Sequence, residues 1–233
     1  MKKIIICSVV LSILLFGCLS NSSPQSNDEN QSINITNGNQ SLSSAISINQ
    51  TAKVDDKLNS SFCQSLENKY TKTACNEYVG VKANDQRIRD YIVHIDSIGV
   101  DMDETVLYKK QMDIDISKWN SAQNITELKE AYDSFYINAK LYINIVNSMD
   151  GKINDLLEFL KENKDYLDSQ GINTQSEINT FKSFKTDLRS GMIISESYFS
   201  TMSGTLNLSQ TEKEDADNLL NSMKELEVKL NQE

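Results

Sequence analysis

The chain has 233 residues with one proline and eight glycines, and its 33 acidic side chains outnumber 23 basic ones for a formal net charge of −10. Nucleic-acid phosphates demand a basic face, so this composition excludes nucleic acid as an expected partner. A long sequence almost free of proline and sparing in glycine suits extended helices and makes a sheet protein rich in tight turns a poor reading.

Lys2 and Lys3 open the chain with positive charge, and the apolar run from Ile4 to Phe16 is 13 residues long. A bilayer-spanning helix needs roughly 17 to 25, so the run reads as an export signal over residues 1–17. Leu15-Phe16-Gly17-Cys18 resembles the lipobox of prokaryotic lipoproteins, possessing its Leu, Gly and Cys but carrying Phe16 where a smaller residue is usual. That resemblance, which covers only about twenty residues, implies cleavage before Cys18 and lipidation of Cys18, and so a membrane partner reached through a lipid anchor outside the cytoplasm. With Lys2 and Lys3 removed, the mature chain carries about −12.

Residues 18–52 are dominated by Ser, Asn, Gln and Thr, with too little apolar surface to repay ordering, and read as a disordered tether. Such a tether has an end-to-end distance of ~30 Å and a full reach of ~110 Å. Asn-x-Ser/Thr triplets begin at Asn21, Asn30, Asn34, Asn39, Asn49 and Asn59, and again at Asn124 and Asn207. They read equally as surface glycosylation sites and as chance matches in an Asn- and Ser-rich chain.

Residues 53–233 read as one helical domain. Leu58, Phe62, Leu66 and Tyr70 recur at steps of four and predict a short first helix. With Cys7 in the signal and Cys18 lipidated, Cys63 and Cys75 remain as an even pair in an oxidising compartment. One continuous helix would hold their Cα atoms ~18 Å apart, far beyond disulfide reach, so a bridge requires the chain to reverse, and Lys69 to Thr73 is the expected place.

A first long heptad segment runs through Ala74, Tyr78, Val81, Ile88, Ile92, Ile95, Met102 and Val106, interrupted at Asp85 and Gly99. The second is unbroken: Leu128, Tyr132, Phe135, Ala139, Tyr142, Val146, Met149, Ile153, Leu156 and Leu160. Asn124 with Glu127 supplies its start and Gly171 its stop, predicting a helix of about 43 residues and ~64 Å. A third helix is expected from Thr174 with Glu177 to Gly204, and a fourth from Ser209 with Glu212. Further apolar rows, including Tyr136, Ile143 and Leu157, give each helix more than one neighbour. The fold expected is therefore all-α: an elongated, mostly antiparallel helical bundle with two long heptad-patterned helices.

Chemistry is harder to find. His94 is the single histidine, which excludes two-histidine metal sites and the HExxH motif and makes it a packing or surface residue. Asp101, Asp103, Glu104, Asp113 and Asp115 invite a calcium reading, but residues two apart on a helix point about 200° away from each other, and the glycine of a calcium loop is missing. They read as a solvated face, and Tyr132, Tyr136 and Tyr142 as core. Asp85, Lys185 and Ser195 stand where apolar side chains are expected and either specify register or mark where a helix leaves the core. No metal, cofactor or catalytic set is expected. Trp119, in the turn between the long helices, is the candidate partner contact, with plugging of the bundle end as its structural alternative. The function expected is non-enzymatic: envelope display, or binding of an envelope protein or glycan. A sensory or solute-binding bundle working through a separate membrane partner is the alternative.

Overall fold

A computed structural model describes residues 56–76 and 85–232. The expected signal at 1–17, the lipidation site Cys18 and the tether at 18–52 all lie outside these residues. The elements are α1 (Asp56–Ser65), α2 (Lys69–Ala74), α3 (Gln86–Ser121), α4 (Ile125–Glu162), α5 (Lys164–Ser169), α6 (Thr174–Thr205) and α7 (Gln210–Leu230). The fold is the all-α bundle the heptads predict, and α3 and α4, 36 and 38 residues long, extend about 54 and 57 Å.

Side-chain pairs between helices fix their directions. Asp101 on α3 meets Ser148 and Lys152 on α4, while Asp115 meets Ser134 and Asn138, so one number falls as the other rises and the pair is antiparallel. Asn154 meets Lys185 and Phe135 stacks on Phe199, so α6 also runs against α4. Lys129 meets Glu212 and Asn147 meets Lys229, so α7 lies parallel to α4. Three long helices thus pack on α4, which is why its seam from Tyr132 to Leu160 is buried along its whole length, with only Leu128 at the start half-exposed.

The helix starts follow local chemistry, with instructive departures. Asp85, read as an interruption of a heptad, is the N-cap of α3, its carboxylate accepting from the Arg87 amide at 2.9 Å. The helix therefore begins later than the row from Ala74 implies, and it runs on to Ser121. Ser209 and Glu212 form the full capping box expected of α7. At α6 the cap is Asn173 rather than Thr174, because the Thr174 amide and hydroxyl both donate to Asp168. Gly204 lies inside α6 rather than closing it.

Helix α4 stops at Glu162, short of the expected length. Asn163 donates both its amide and its side-chain Nδ2 to the Phe159 carbonyl, a local bond that competes with helix continuation. The short α5 follows the break and buries Leu167. Gly171, at φ 87°, then makes the left-handed turn that other residues resist.

The buried row of α3 also shifts phase. It includes Ile98, Thr105 and Met112, which leaves the expected Val106 39% exposed. Thr105 tolerates burial because its hydroxyl donates to the Asp101 carbonyl at 2.7 Å.

Cys63 and Cys75 are joined by a disulfide, their Cα atoms 5.5 Å apart. The reversal falls at residues 66–68, earlier than expected, and Asn68 caps α2 by accepting from the Tyr70 and Thr71 amides. Asp96 on α3 accepts from the Glu67 and Asn68 amides at 2.8 and 2.9 Å, and Asn68 Nδ2 donates to Asp103. This hairpin sits so close to α3 that a Cβ on Gly99 would lie 2.8 Å from Asn68 Cγ. Glycine at this seam position is thus required by the approach of Asn68. Gly99→Ala should cost about 1 to 3 kcal/mol by forcing the hairpin off α3. Gly151→Ala, with nothing within 4 Å of the added methyl, should stabilise by about 0.5 to 1 kcal/mol. Urea midpoints of the two variants check this, and equal midpoints would contradict the close approach.

Candidate functional site

Two turns make one end of the bundle: residues 122–124 between α3 and α4, and residues 206–209 between α6 and α7, held level by the Lys129–Glu212 ion pair at 3.0 Å. Trp119 lies in the last turn of α3 rather than in the loop, and it is half-buried against the core. Its side chain therefore packs on the core near the bundle end while staying part-exposed. Asn124 and Asn207, two of the Asn-x-Ser/Thr positions, are both exposed and sit in these two turns. The chain enters from the opposite direction. Phe62 on α1 lies under the Arg89 guanidinium, 5.4 Å from its ring centroid, near the start of α3. Thirty residues of helix then separate Arg89 from Trp119, about 45 Å.

The expected acidic face is divided among separate tasks. Asp101 pairs with Lys152 at 2.7 Å, Asp103 holds Asn68, and Asp113 pairs with Lys109. Asp115 departs from the solvated reading: it is fully buried, accepting from Ser134 and Asn138 with Lys118 3.7 Å away. Among the described residues, no three His, Cys, Asp or Glu side chains gather as a metal ion would need. His94 packs its ring against Phe159, centroids 5.3 Å apart. Tyr132 and Tyr142 are core, while Tyr136 is half-buried beside Phe199. Burial pushes the Tyr132 hydroxyl up to about 12.

The most charged buried site is one the heptads only hint at. Lys185 on α6 approaches Asp150 Oδ1 on α4 at 3.0 Å, with both side chains almost completely enclosed. Lys185 also donates to Asn154 Oδ1 and to the Gln232 carbonyl, while Asn154 and Lys229 attend the second oxygen of Asp150. The signal was a gap: Asp150 is the missing member of the row Tyr136, Ile143, Leu157, and Lys185 breaks the seam facing it. Each of these partners comes from the chain itself, so the cluster pins α4, α6 and the C-terminal residues together.

Two surface carboxylates respond to acid. The Ser209 hydroxyl and amide, with Lys129, hold Glu212 down at about 2 against an ordinary 4.5. Lys164 first, then Thr174, hold Asp168 at about 2 against 3.8. Lowered values mean the folded state favours the ionised form, so this stabilisation is complete above about pH 4.5 and is lost as pH falls towards 2. Circular dichroism on acid titration should show helix loss within that window. Glu212→Gln and Asp168→Asn should each flatten the pH dependence there; a profile identical to wild type would refute the assignment. Separately, Lys185→Met should cost about 3 kcal/mol or more by stranding Asp150, whereas Asp150→Leu with Lys185→Met should recover most of it. Chemical unfolding measures both, and additive losses in the double variant would show that the pair is not coupled.

No helix of the described residues is long and apolar enough to cross a membrane. Compared with protein families, curated proteins and solved structures, the chain matches none, so its functional reading rests on its own geometry, charge and surface.

Proposed function

We propose that this chain is a non-catalytic display module of the cell envelope, held outside the cytoplasm by a lipid on Cys18 and binding an envelope protein or glycan at the far end of its bundle. The observation that carries this reading is the separation of the two ends. Phe62 of α1 lies beside Arg89, and the part-exposed Trp119, near the exposed Asn124 and Asn207, stands about 45 Å further along α3. The lipobox-like Leu15-Phe16-Gly17-Cys18 supports the anchor, and the buried Cys63–Cys75 disulfide suits an oxidising compartment. A polar tether of residues 18–52 would add its own reach to that of the rod.

The test is made on the whole chain in a bacterial host that exports lipoproteins. Mass spectrometry of the membrane-extracted protein should find an acyl mass on an N-terminal Cys18, and Cys18→Ser should leave an unprocessed precursor. An epitope inserted at Gln123 should be accessible on cells whose outer layers are opened, and Trp119→Ala should weaken capture of envelope components without altering helicity. A mature protein lacking the acyl group removes the anchor. A small molecule co-purifying in stoichiometric amount would move the reading to a solute-binding bundle.

A further inference from the structure

Helix α3 carries a second heptad row, on the side facing away from α4. Val93, Val100, Leu107 and Ile114 repeat every seven residues, with Ser97, Glu104, Gln111 and Lys118 between them at steps of four and three. This band faces about 150° away from Ile98, Thr105 and Met112 of the buried row, while its Gln111 and Lys118 flank the buried Asp115 at the edge of the α4 contact. Three of its four apolar members are open to solvent, Val93 being 50% exposed, Leu107 61% and Ile114 40%, while Val100 is half-buried. Heptad spacing along the exposed back of a packed helix is the pattern of a coiled-coil seam.

We propose that two copies of this chain pair through this row, with their α3 helices antiparallel about a two-fold axis. Two features of the row identify a second copy as the occupant. The first is shape. A shallow hollow on this face is lined by Ile114, Ser117, Lys118 and Ser121 together with Lys110 and Asp113. The spacing of the first four, at 0, +3, +4 and +7, is that of the hole that receives a coiled-coil knob. Leu107, two turns away on the same row, is the matching knob. A two-fold axis near residue 112 seats the Leu107 of each copy in the hollow of the other, as an isologous contact requires.

The second feature is charge. The row carries an acid towards its start, Glu104, and a base towards its end, Lys118, with Lys110 and Asp113 offsetting each other near the axis. Antiparallel copies bring acid to base at both ends, whereas parallel copies would set like charges together. The α1–α2 hairpin lies beside Asp96, Gly99 and Asp103, so the partner helix is confined to the stretch from about Val100 to Ser121. A crossing of that length falls below the roughly 1,200 Å² of a standard stable interface, so the pairing is reversible.

The test uses the full chain as produced in cells. Gln111→Cys, close to the axis, should cross-link to a species of twice the chain's mass with a short bis-maleimide. Asp155→Cys, on the exposed face of α4, and the parent chain should not. Leu107→Ser, at a residue 61% exposed, should cut the Gln111→Cys product about tenfold while helicity is unchanged. Glu104→Lys should also reduce it, and adding Lys118→Glu should restore it. Equal cross-linking from Asp155→Cys, a product of a different mass, or insensitivity to Leu107→Ser would overturn the proposal.

Discussion

Burial of one helix on several sides is the constraint on which everything else rests. Helix α4 has apolar or small side chains from Tyr132 to Leu160 at every inward position but one, and α3, α6 and α7 each cover part of its circumference. An isolated amphipathic helix of this length would gain little from its hydrogen bonds alone, which exchange with water, so its order comes from the area its neighbours remove from solvent. The other helices have no comparable centre of their own. Helices α3 and α6 are placed by where they meet α4, α7 lies against both α6 and α4, and the α1–α2 hairpin docks on α3; the bundle's two ends lie far apart because the central helices are long.

Apolar packing of this kind tolerates sliding, since heptad rows differ little from one turn to the next. Polar atoms inside the seam remove that freedom. Lys185 can reach Asp150, Asn154 and the Gln232 carbonyl in only one register of α6 on α4, and Asp115 can meet Ser134 and Asn138 in only one register of α3. A slip by one heptad would leave these groups desolvated and unpaired, at a cost far above that of any single apolar mismatch. Such polar contacts add modest stability at best, but they decide which of several similar packings is adopted.

The rows of α4, α6 and α7 were legible because their apolar residues obey one period and face one interior. The capping box of Ser209 and Glu212 was legible because it is purely local. What escaped depended on distant partners. Asp85 reads as a fault in a row until the helix is seen to begin there. The reversal at Asn68 is decided by Asp96 and Asp103, some thirty residues away, and Asp150 gains its meaning from Lys185 on another helix. The phase shift from Val106 to Thr105 is equally non-local, since a hydroxyl is buried there only because the Asp101 carbonyl accepts it. Of the candidate surface, the place of Trp119 near one end of the bundle was legible in sequence, but not that the helix runs on past it to Ser121. The half-burial of Trp119, and the exposure of the row through Leu107, were not, because a heptad pattern does not say which side of a helix the neighbours occupy.

The Cys63–Cys75 bridge has a mechanical meaning. A pull applied through the chain ahead of α1 reaches Cys63 first, and the covalent bond hands the load directly to Cys75. The eleven intervening residues, with the Asn68 contacts that dock them on α3, carry none of it. Hydrogen bonds peeled one at a time yield to small forces, whereas a covalent link does not lengthen on that scale. Tension would bypass the weakest docked segment of the molecule and pass along the backbone beyond Cys75 towards α3, whose long packed interface spreads the strain over many contacts at once.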